Sequence, residues 1–161
     1  MAQIESRLDD LGLVLPAPLL LPPGVTLPFP WVRVHGNRAF ISGHGPQNAD
    51  GSLATPLGKV GAEVSLEQAQ VAARLVGLSM LASLKRELGD LDRVTAWLKV
   101  LGMVNSAPGF NRQPNVINGF TDLIVTLYGP ERGRHARSAV GMAQLPFDIP
   151  VEIEAEVEIQ T

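Results

Sequence analysis

The chain has no cysteine among its 161 residues. That absence excludes disulfides, thiolate metal sites and cysteine nucleophiles in one step. Charge is also scarce. Asp, Glu, Lys and Arg make up 18% of the chain, low for a fully wetted monomer, which points to an oligomer that buries part of its surface. Basic charge is the scarcer sign: 13 Lys and Arg stand against 16 Asp and Glu, for a formal net charge of −3. Arg132, Arg134 and Arg137 are the only local basic cluster, so the basic footprint of a nucleic-acid binder is missing. No hydrophobic run is long enough to span a bilayer. The most apolar early stretch, 11–21, is interrupted by Pro16 and Pro18. The first residues lack the basic and apolar regions of a signal peptide, so a soluble cytoplasmic protein is the expectation. His35, His44 and His135 are spaced by nine and 91 residues, which matches no common metal-ligand pattern. No phosphate-loop pattern occurs either. The sequence therefore implies no metal and no cofactor. His44 reads as a surface or turn histidine, with a place in a cleft as the lesser alternative.

What is present is a core-forming composition. Hydrophobic residues are 45% of the chain, and the length suits one domain. Ile4, Leu8 and Leu11 recur at helical spacing, and Gly12 can end that helix. Residues 13–30 are proline-rich and apolar, an extended segment expected to lie against the body. Residues 31–35 and 38–42 read as strands joined at Gly36-Asn37 in a hairpin. Gly43 to Gly61 is loop-like, with a turn at 48–51. Ser65 and Gln68 form a capping box for a long helix, and Gly89 can terminate it near Leu88. Gly77 within it suggests close packing. A strand over 93–104 follows, then a loop and a second helix over 115–127, stopped by Gly129-Pro130. Strands near 137–145 and 151–159 close the chain. The order predicts an α+β domain with helices on one face of a sheet.

The last strand alternates strictly. Val151, Ile153, Ala155, Val157 and Ile159 share one face, and Glu152, Glu154, Glu156 and Glu158 share the other. Glu152, nearest the preceding turn, is the glutamate placed to reach a rim. Arg137 precedes it by 15 positions. An arginine offers a planar fork for a carboxylate or phosphate, and a glutamate can orient or deprotonate a water. Arg137 by itself also reads as an interface salt-bridge partner or a solvated charge. If the two final strands paired directly, Glu152 would face position 143. Arg137 would then lie roughly 20 Å away at strand rise. Either the strands are not neighbours or the two side chains meet across a subunit boundary. Trp31 and Trp97 read as core or interface aromatics. Ser42 lacks a nucleophile's partners and reads as a contact or strand-capping hydroxyl.

The ordered set of motifs resembles the RidA family, also called the YjgF or endoribonuclease L-PSP family. The matches are Gly36-Asn37 before a strand ending Ile41-Ser42-Gly43, the Ala-rich helix, and the run 89–94. Asn118, the run Ala136-Arg137-Ser138-Ala139-Val140, Leu145-Pro146 and Val151-Glu152-Ile153-Glu154 complete the set. The resemblance implies a fold similar to Bacillus chorismate mutase, a mixed β-sheet backed by two helices, assembled as a homotrimer with clefts between subunits. It implies a single domain over 31–161, with residues 1–30 as a packed extension that marks a longer subgroup. The implied activity is hydrolysis of enamines and imines, such as 2-aminoacrylate, to keto acids and ammonia. Arg137 would hold the substrate carboxylate and Glu152 would position the water. Ser42, Gly43, Asn118, Ala139 and Phe29 would line the site. Phe29 stands where a tyrosine is usual, Ala139 where a cysteine is frequent and Gly141 where a glutamate is frequent. A non-catalytic ligand-binding or chaperone-like trimer is the second reading. The ribonuclease activity that the family label suggests is the third, and the acidic balance opposes it.

Overall fold

A computed structural model describes residues 3–161. Helix α1 spans Gln3–Asp10 and docks through the buried Ile4 and Leu8. The chain then runs extended, without regular structure, to strand β1, Val32–His35. Strand β2, Arg38–His44, pairs antiparallel with β1 from Val32↔Ile41 to His35↔Arg38, so the expected Gly36-Asn37 hairpin is present. Helix α2 covers Leu66–Leu88. Its Ser65–Gln68 capping box is formed on both sides, and Gly89 closes it with φ +78°. A 3₁₀ turn at Leu91–Arg93 leads into β3, Val94–Asn105. Helix α3 spans Gln113–Gly133, β4 covers Ala136–Met142, and β5 covers Val151–Ile159.

The second helix runs further than its expected stop. Gly129 leaves helical geometry, but Pro130 suits a first helical position, so one more turn follows and ends at Gly133. The signal marks a kink in the helix and not its end.

The five strands form one mixed sheet in the order β1-β2-β5-β3-β4. Only the β3–β4 pair is parallel, which α3 permits by crossing over between them. Helices α2 and α3 pack on each other, and both contact the sheet. The core lies between them. Val151, Ile153, Val157 and Ile159 of β5 are buried there as the alternation requires. Trp97 sits in this core, edge-on to Phe120 and Tyr128 with ring centroids 5.8 Å away. The opposite face of the sheet carries no helix among the described residues.

Strands β4 and β5 are not neighbours, because β3 lies between them. Val100 of β3 faces Arg137, and Met103 faces Glu152. Three residues of rise and two strand spacings set the two backbones about 14 Å apart.

Candidate functional site: a roofed pocket and a separate braced arginine

A cavity of about 220 Å³ opens where the proline-rich segment crosses the end of the sheet. Gly43 and Glu152 form its floor. The two residues touch so closely that a Cβ at position 43 would overlap Glu152 Oε1. Only glycine leaves the carboxyl that space. Glu152 is half-buried, and its pKa is raised, first by burial and then by the neighbouring Glu154. Phe29, Trp31 and Phe147 contribute aromatic walls.

One side of the cavity is locked by a histidine. His44 is only 3% exposed. Its Nδ1 lies 2.6 Å from the Ser42 carbonyl and its Nε2 2.8 Å from Ser83 Oγ. Nδ1–H therefore donates to the carbonyl, and Nε2 accepts from the serine hydroxyl. Arg86 Nη2 donates to the same Ser83 oxygen at 3.2 Å, and Arg86 Nη1 donates to the Pro16 carbonyl at 3.2 Å. Burial lowers the His44 pKa to about 4, so the ring is neutral at physiological pH. The expectation of a surface or turn histidine is corrected. The ring is a buried tie between β2 and α2, and its centroid lies 4.8 Å from that of Trp31, with the two planes tilted by 50°. Ser42 Oγ donates to the Pro30 carbonyl at 2.8 Å, which ties the strand to the extended segment.

Arg137 lies elsewhere. It sits on the edge strand β4 and faces α3, on the helix side of the sheet. Its Nη1 donates to Asn118 Oδ1 at 2.9 Å and to Thr121 Oγ1 at 3.1 Å, and Nη2 donates to the Pro114 carbonyl at 3.4 Å. A guanidinium has five N–H groups, so two of these remain uncommitted. No carboxylate pairs with it among the described residues. Thr121 accepts from Arg137, so its own proton turns to His135 Nε2, 3.1 Å away. His135 Nδ1–H donates to the Gly133 carbonyl at 2.8 Å. Burial lowers the His135 pKa, with a smaller contribution from the Arg137 charge. The neutral imidazole thus braces the arginine through Thr121 without adding charge.

The family model described as "YjgF/chorismate mutase-like, putative endoribonuclease" matches residues 5–151. The chain belongs to this family. Protein TCP17 of Trypanosoma cruzi is 40% identical over 157 residues, 98% of this chain and 94% of that protein. The solved structure of Atu1372 from Agrobacterium tumefaciens, a protein of unknown function, is 42% identical with a TM-score of 0.87 and covers 99% of this chain and 94% of its own. At that coverage the similarity extends over the region of residues 13–30. The structure of E. coli TdcF with bound serine has a TM-score of 0.57 at 20% identity, covering 90% of this chain and 94% of its own, a likeness of fold alone.

In this YjgF-family chain the sequence-derived residues fall into two groups. Phe29, Gly43 and Glu152 line the cavity, with Ser42 beside it on β2. Arg137 and Asn118 meet directly, and Ala139 lies two residues along β4 on the same face. The groups do not come together within one chain. Glu152 is on the face opposite Val151 and Ile153, whereas Arg137 is on the helix face. Thr121, His135, Ser83 and Arg86 were missed. Thr121 had one signal, since it stands three residues after Asn118 on the same face of α3.

Proposed function

We propose that this protein hydrolyses small imines and enamines that carry a carboxylate, in clefts that neighbouring copies build together within a homotrimer. The observation that carries the reading is the state of Arg137. It is a braced guanidinium with two open N–H directions and no carboxylate partner among the described residues. That is the arrangement a bidentate carboxylate contact needs. Glu152 supplies the complementary half. Its raised pKa brings it nearer to working pH, where a general base is most effective.

Arg137 of one copy holds the substrate carboxylate beside the cavity of another. Glu152 there orients a water and takes its proton as the oxygen bonds to the imine carbon. That proton passes to nitrogen, the carbinolamine hydroxyl proton follows it through the same carboxyl group, the carbon–nitrogen bond breaks, and ammonia leaves a keto acid. An enamine enters the same route after protonation at carbon gives the imine.

The test is to generate 2-aminoacrylate and other imines in situ and to follow their decay with semicarbazide as a competing trap. Added protein accelerates the decay. Arg137→Ala lowers kcat/KM about a hundredfold, the worth of a charge-assisted two-point contact. Glu152→Gln lowers kcat while carboxylate binding persists. No acceleration of any imine, or full activity in Arg137→Ala, overturns the reading. A binding-only trimer is the second reading. It is favoured by Phe29, which brings no hydroxyl to the cavity, and by His44, both of whose ring nitrogens are engaged. Stabilisation by carboxylates without product supports it.

A further inference from the structure

We propose that the extended segment over residues 19–29 builds a side-chain subsite, and that the preferred substrates are imino acids with a bulky apolar side chain, of about leucine to phenylalanine size. This rests on the hydrolytic reading above. Leu19, Leu21, Val25, Leu27 and Phe29 line one side of the cavity, and Phe147 stands at its rim. Leu19, Leu21, Val25 and Leu27 do not belong to the hydrophobic core, and Phe147 is 57% exposed. Their apolar surface faces an open chamber.

The chamber is pre-formed. Ala17 N–H donates to the Ala49 carbonyl at 2.9 Å, and Leu20 N–H donates to the Gly51 carbonyl at 3.0 Å. Arg86 holds the Pro16 carbonyl. Prolines at 16, 18, 22, 23 and 28 fix φ along the segment. A ligand therefore meets a wall that needs no ordering.

Size and polarity select the occupant. A cavity of about 150 Å³ lined by Leu, Ile and Phe takes benzene, and drug-sized ligands need roughly 300–1,000 Å³. At about 220 Å³ this chamber fits an isobutyl or benzyl group and little more. Its interior has few free polar groups to receive a polar side chain. The Ser42 hydroxyl is bonded to Pro30, His44 to Ser42 and Ser83, and Gln47 Nε2 to the Gly51 carbonyl at 3.4 Å. A polar side chain there would be stripped of water without replacement. A substrate as small as 2-aminoacrylate would leave the chamber empty. Arg86 at the rim makes an acidic side chain the competing occupant.

The experiment has a turnover arm and a binding arm. Imines are generated in situ by amino-acid oxidases from leucine, phenylalanine, alanine and glutamate, and kcat/KM is compared. The leucine- and phenylalanine-derived imines should exceed the alanine-derived one by tenfold or more, as hydrophobic pockets discriminate by about 10–200-fold per methylene. In parallel, calorimetry measures Kd for 4-methyl-2-oxopentanoate and for pyruvate, with the same tenfold preference for the larger acid. Leu21→Trp, which fills the chamber, should bring that ratio close to one, while Leu21→Met preserves it. If the tryptophan variant does not fold, Leu27→Ala should shift preference towards the phenylalanine-derived ligand. Turnover without size preference, or preference for the glutamate-derived imine, overturns the subsite and leaves the hydrolytic reading standing. Size-selective binding with no turnover of any imine overturns the hydrolytic reading and leaves the subsite standing.

Discussion

His44 couples the stability of this protein to mild acid. In the unfolded chain its imidazole takes a proton near 6.5, and in the fold only near 4. The depressed value means that its contribution is complete above pH 6.5 and is lost as pH falls towards 4. At about 1.4 kcal/mol per unit the full effect is roughly 3 kcal/mol. Glu152 acts in the opposite sense, because its raised pKa lets the fold gain slightly as pH falls through the carboxylate range. Urea unfolding at pH 7 and pH 4.5 should show a loss of about 2–3 kcal/mol. His44→Gln should be less stable at pH 7 and show a flatter pH dependence. An equal slope in the variant would refute the assignment. The burial of His44 was not legible in the sequence. A lone histidine between two glycines has no period, and its partner Ser83 is 39 positions away. The family resemblance named Arg137 and Asn118 separately, but their contact was not legible, since 19 positions separate the residues and they lie on different elements.

At the scale of elements, the crossing of α2 and α3 depends on missing side chains. A Cβ at Gly119 would overlap the Gln70 backbone carbonyl, whereas a Cβ at Gly77 would meet Leu123 Cδ2 at 2.8 Å. Backbone cannot yield cheaply, but the end of a leucine can. Alanine normally stabilises a helix by about 1 kcal/mol over glycine, so any loss reports the packing clash. Gly119→Ala should lower stability by about 1–3 kcal/mol, and Gly77→Ala by clearly less. Thermal or urea midpoints of the two variants check the ranking. Element types were largely legible, because each rests on local chemistry. Ser65 and Gln68 cap α2, Gly89 ends it, and strict alternation marks β5. The extent of α3 was not, since Gly129-Pro130 can stop a helix or kink it. Packing of the following turn against β3 decides, with Arg132 donating to the Val94 carbonyl at 3.2 Å through Nε.

At the scale of the molecule, Arg137 and Glu152 stand on opposite faces of one sheet, so the proposed site needs two copies. The helix-free face exposes Phe40 at 43% and Val140 at 38%, an apolar surface that suits burial in an assembly. Sedimentation equilibrium should return three times the 17.2 kDa chain mass. Arg137→Ala and Glu152→Gln chains, each strongly impaired alone, should regain about a quarter of wild-type activity when refolded together, because random mixing rebuilds that share of shared sites. No recovery would place both residues' work within one chain. Strand rise alone left two outcomes open, and the structure bears out the first: β4 and β5 are not neighbours. The strand order that separates the two residues was not legible. No helix among the described residues is long and apolar enough to cross a membrane.

The sheet also sets a schedule. Strand β5 is the last in chain order, yet it lies between β2 and β3 and joins the hairpin at one side to the parallel pair at the other. During synthesis, the hairpin and the parallel pair cannot join into one sheet before β5 emerges, and the packing of α2 on α3 links them until then. The sheet closes in one late event, and until then both inner strand edges are open to whatever else the cell offers them.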